Sequence, residues 1–71
     1  MGNFNKFAKD LASTYFNLGI LYYSENQYDE AEKKIKSALG MYEALSKANY
    51  NAYAKSVANT YNALGALYAE M

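Results

Sequence analysis

The residues of this chain that can do chemistry are few in kind. Seven Lys, seven acidic residues, nine Tyr and scattered Ser, Thr and Asn supply all of it, and Cys, His and Arg are absent. Without Cys there is neither a disulfide nor a thiolate metal site. Without His a zinc ion would need four acidic ligands, and catalysis would lack its commonest proton carrier. Lys9 and Ser13 stand one helical turn apart, a spacing open to a base and a nucleophile. Nothing near them in sequence supplies an oxyanion site or orients the base. The four glycines are isolated, so no phosphate-cradling loop is present. The sequence therefore predicts no enzyme, no cofactor and no metal.

The acidic residues have a plainer use. Asp29, Glu30, Glu32 and Glu43 each precede a lysine by four positions, at Lys33, Lys34, Lys36 and Lys47. On a helix that spacing places opposite charges side by side, worth a few tenths of a kcal/mol per pair, and marks a solvated face. Lys and acid cancel to zero net charge. A neutral chain with no basic stretch is a poor partner for a phosphate backbone, and lysines are too few among the tyrosines for single-stranded nucleic acid. No apolar run approaches the roughly 20 residues of a membrane span. The opening Met1–Asp10 lacks the apolar centre of a secretory leader. The default expectation is a cytoplasmic protein that binds neither nucleic acid nor membrane.

What must position these residues is helical. There is no proline, and apolar residues recur at helical spacing nearly throughout. Three helices are predicted, over about 6–24, 28–48 and 51–71, within a single domain. The first carries a stripe of Phe7, Leu11, Tyr15, Leu18 and Tyr22. Asn26, tolerant of a left-handed backbone, is expected to close it. The second buries Tyr28, Ala31, Ile35, Ala38, Leu39, Tyr42 and Leu45. The third carries Tyr53, Val57, Tyr61, Leu64 and Tyr68, widened by several alanines until little polar surface remains. A helix apolar nearly all round needs cover on more than one side.

A repeat runs through these elements. Tyr15, Leu18, Gly19 and Tyr22 recur 46 positions later as Tyr61, Leu64, Gly65 and Tyr68. Residues 3–25 and 49–71 share eleven identities at that offset: Asn, Asn, Ala, Lys, Ala, Thr, Tyr, Leu, Gly, Leu and Tyr. In the first copy Ala31, Ile35 and Ala38 follow; the second copy stops after one helix. A repeat unit cannot bury its apolar face alone. Glycine in a helix interior costs up to about 1 kcal/mol against alanine, so its recurrence suggests a packing demand.

These motifs resemble the tetratricopeptide repeat family, in a long-period form and over one and a half units. Two departures stand out. The junction Lys47–Tyr53 lacks the proline usual after the second helix, and Gly40 replaces an ordinarily polar residue. The resemblance implies an all-α fold: an antiparallel hairpin plus a third helix. It implies close packing of Gly19 on Ala31, with Tyr22 and Ile35 filling the space beside them. It also implies a concave groove for a partner's peptide segment. Mapped here, that groove is Ser13, Phe16, Asn17, Ile20, Tyr23 and Ser24 with Asn59, Asn62, Ala63, Ala66 and Ala69. Asn17 matches a family position that holds a peptide backbone. Ile20 and Ala66 stand where a carboxylate clamp would want Asn.

Two functions follow as expectations. The first is self-association, a homodimer formed through the unpaired third helix by Tyr61, Leu64, Gly65 and Tyr68. Its form stays open: residues 28–71 fused into one helix and exchanged between chains, or a compact chain with a turn near Asn49–Asn51, closed or fibrous. The second is a peptide-binding fragment that uses the groove.

Overall fold

The computed structural model describes residues 2–71, with side chains from residue 6 onward. Three helices make up the described chain: α1 (Gly2–Ser24), α2 (Tyr28–Ala48) and α3 (Tyr50–Glu70). The fold is an all-α hairpin with a third helix. α1 begins four residues earlier than the apolar pattern suggests, and α3 ends at Glu70. No helix among the described residues is long and apolar enough to cross a membrane.

The α1–α2 turn is made by Asn26, which takes φ 64°. Asparagine bears that left-handed conformation more easily than most residues. The Asn26 and Gln27 amides donate back to the carbonyls of Tyr23 and Tyr22, so the end of α1 keeps its backbone bonds.

The α2–α3 junction falls where the predicted helix bounds place it. Nothing in its composition demands a break, yet α2 and α3 are separate helices. Asn49 does this alone, with φ −150° and ψ 84°. Its amide donates to the Leu45 carbonyl and closes α2, while its side-chain oxygen accepts from Ala52 N–H at 3.3 Å and opens α3. Asparagine is among the best residues at such an N-terminal cap. The chain thus adopts the compact form, and the fused helix is not the one observed.

α2 is the central layer. Its residues Ala31, Ile35, Ala38, Tyr42 and Leu45 are buried, and both other helices lie on it. One core cluster joins Ala38, Tyr42 and Leu45 to Ala12 of α1, with Tyr15, Phe16, Tyr53 and Val57 against it. The other joins Ala31 and Ile35 to Leu64 and Leu67 of α3, with Tyr22, Tyr23 and Leu39 against it. Every buried side-chain polar atom among the described residues has a partner. Thr60, the one fully buried polar residue described, donates its hydroxyl to the Ser56 carbonyl at 2.7 Å.

Of the four expected i,i+4 charge pairs, one forms. Glu32–Lys36 forms at 3.3 Å, whereas Lys33 turns to Glu30 at 3.5 Å as an i,i+3 pair. Lys34 instead lies 6.0 Å from the centre of the Tyr15 ring. All are solvated and contribute little.

Removing the Asn49 side chain should cost about 1 kcal/mol of stability, the usual loss of such a cap. Urea denaturation of Asn49→Ala against wild type measures it; an unchanged midpoint would remove the cap from the description.

Candidate interaction surface

The two copies of the repeat use opposite flanks of the same helix. In α1, Ala12 and Gly19 are buried and Tyr15 and Tyr22 half-buried, all facing α2. Their counterparts in α3 are Ala58, Gly65, Tyr61 and Tyr68, and all four are exposed. The reverse holds for the other flank. Thr14 and Leu21 are exposed in α1, while Thr60 and Leu67 are fully buried in α3. Identical residues meet opposite environments because α2 is wedged between the copies and touches a different side of each.

The glycines record this most sharply. A Cβ on Gly19 would fall on the Ile35 side chain and lie 3.3 Å from the Ala31 carbonyl oxygen. Close backbone approach therefore needs glycine there. A Cβ on Gly65 would meet nothing within 4 Å, and the same is true of Gly40. Gly65 thus keeps the motif of Gly19 without its close packing.

Tyr61 and Tyr68 border α2 and are tied to it. The Tyr61 hydroxyl donates to a Glu43 oxygen at 2.7 Å, and the Tyr68 hydroxyl to a Glu32 oxygen at 2.6 Å. Both rings stay about half exposed, at 52% and 46%. Bonding to a carboxylate raises both tyrosine pKa values above the ordinary value of about 10. Glu32 is shifted down, first by the Tyr68 bond and then by Lys36. Lys36 is shifted up, chiefly by its bond to Glu32.

Of the four residues expected to self-associate, Leu64 is placed otherwise. It is buried against α2 in its own chain, where Ile35 and Leu67 complete its cluster. The outward face therefore consists of Tyr61, Gly65 and Tyr68 with Ala58, Asn62 and Ala69, and not of the whole apolar stripe. The expectation took all four as uncovered; Leu64 alone of them is covered.

The groove residues differ in exposure. Asn17, Ile20, Asn59, Asn62 and Ala66 are exposed. Phe16 packs on the first core cluster, and Tyr23 sits edge-on to Tyr28 with ring centres 5.8 Å apart. The cleft on this side, about 230 Å³, is lined by Lys9, Asp10, Ser13, Tyr42, Ala52, Tyr53 and Ser56. Only Ser13 belongs to the expected groove. No cluster suited to a metal ion occurs among the described residues.

A second open surface went unnoticed in the sequence. Phe7, Ala8 and Leu11 of α1 and Met41, Ala44, Leu45 and Ala48 of α2 line an apolar groove of about 290 Å³. Phe7 and Leu11 correspond to Tyr53 and Val57, which pack on the core. The 46-residue offset held that signal, but only once the flank used by each copy is known.

Comparison with protein-family models, with curated proteins and with solved structures finds no match.

Gly19→Ala should destabilise the monomer by about 1–3 kcal/mol, because the overpacking at Ile35 outweighs the gain in helix propensity. Gly65→Ala should instead be neutral or stabilising by up to about 1 kcal/mol in dilute solution. Chemical denaturation of both variants checks the contrast, and equal effects would contradict it.

Tyrosines with raised pKa values stabilise the docked α3 below pH 10 and lose that contribution as pH climbs through their folded values. Glu32, shifted down, contributes above its ordinary value near 4.5 and loses the contribution as pH falls. Stability should therefore fall on the alkaline side more steeply in wild type than in the Tyr61→Phe/Tyr68→Phe variant. Parallel urea midpoints from pH 8 to 11 would refute the two bonds.

Proposed function

We propose that this chain is a non-catalytic protein-interaction module, of tetratricopeptide-like one-and-a-half-unit build, that associates with a second copy through the outward face of α3. The supporting observation is the burial reversal between Gly19 and Gly65. The first is covered by Ile35, and the second lies on open space inside the same Tyr-x3-Gly-x2-Tyr setting. An exposed apolar face of this kind is a site of association.

The peptide-binding alternative finds less support. Tyr23 and Phe16 are half-buried and packed within the chain, leaving Ile20 as its exposed large apolar residue, and the cleft nearby has a different lining.

Light scattering after size exclusion tests the reading. The 8.0 kDa chain should give a concentration-dependent species of twice that mass. Gly65→Lys, which points a charge into open space, should return it to the monomer with unchanged helicity. A wild-type chain that remains a monomer up to millimolar concentration would overturn the proposal.

A further inference from the structure

We propose that the second copy docks with its own α3, antiparallel, in a register that sets Asn62 of one chain against Gly65 of the other and Lys55 beside Glu70. This rests on the self-association reading above and specifies its geometry.

The outward face of α3 has a defined layout. Ala58, Asn62, Gly65 and Ala69 are exposed and spaced four, three and four residues apart, so they form one seam along the helix. Tyr61 and Tyr68 flank the seam on the side of α2, held there by Glu43 and Glu32. Helical periodicity puts the exposed Lys55 and Glu70 on the other flank. Each side of the seam thus has its own chemistry, aromatic on one and charged on the other.

A two-fold axis across an antiparallel helix pair keeps each flank on its own side and reverses its direction. Aromatic flank then meets aromatic flank, and charged meets charged. The seam fixes the register. Centred between residues 63 and 64, Asn62 and Gly65 share layers with each other's mates, as do Ala58 and Ala69. Small residues in every layer let the backbones approach closely, as Gly19 does against α2. The Tyr61 ring falls beside the partner's Gly65, and each tyrosine flank covers the other.

The same register brings opposite charges together at both ends. Lys55 of one chain comes within about two residues, roughly 3 Å along the axis, of Glu70 in the other. These are the only charged residues of α3, and they have opposite sign at opposite ends, which is what an antiparallel pair needs. A slip by one heptad in either direction separates the charges and leaves half the seam uncovered. A parallel pair would swap the flanks, setting each charged flank against the partner's tyrosines and keeping Lys55 and Glu70 at opposite ends.

A charge-reversal cycle tests this on the full chain, with dissociation constants from analytical ultracentrifugation at low salt. Lys55→Glu and Glu70→Lys alone should each weaken the dimer about 10-fold, since two ion pairs become two repulsions. Together they should restore it to within about 2-fold, and high salt should shrink all the differences. A dimer indifferent to the single reversals, or unrescued by the double, would overturn the register while leaving self-association in place. Absence of any dimer would end both.

Discussion

Ile35 occupies the contact on which the rest of the molecule depends. It is fully buried near the middle of α2. On one side its side chain fills the space that a Cβ of Gly19 would need. On the other it meets Leu64 and Leu67 of α3. One residue therefore joins both copies of the repeated helix to the single helix between them. In a chain of 71 residues, a domain size at which one hydrophobic core is marginal, such double use of one helix makes a core feasible.

That arrangement has an unavoidable remainder. Two similar helices packed on opposite sides of a third must each leave the flank that the other uses. α1 leaves Phe7 and Leu11 along the groove with Met41, Ala44 and Ala48, and Leu21 exposed farther along the helix. α3 leaves Ala58, Tyr61, Gly65 and Tyr68. The ends of the molecule are thus unlike each other even though their sequences are alike. The tyrosine bonds to Glu43 and Glu32 bear on this, because they hold the aromatic rings at the edge of α3 rather than across Gly65.

Much of the fold was legible in the residues. Of the expected α2 stripe, Ala31, Ile35, Ala38, Tyr42 and Leu45 are buried, while Tyr28 and Leu39 at its margin are half-buried. Asn26 announced its left-handed turn by type. Asn49 was harder, since an asparagine is only a mild helix disfavourer until its side chain finds an amide to cap. The burial of Leu64 beside an exposed Tyr61 and Tyr68 was not legible. Periodicity places them on adjoining parts of one broad apolar face, and only the position of α2 divides that face. The matching motif does not bring matching contacts, because a shared middle helix touches opposite flanks of the two copies.

The most direct measurement is an amide-shift map of the chain over a dilution series by nuclear magnetic resonance. Gly19 and Gly65 serve as paired reporters within one molecule. Signals of Ala58, Tyr61, Asn62, Gly65 and Ala69 should move with concentration while Gly19 and Ala12 hold still. Movement confined to the Phe7–Leu21 flank, or no movement at any residue, would show that the open side of α3 is not an interface between copies.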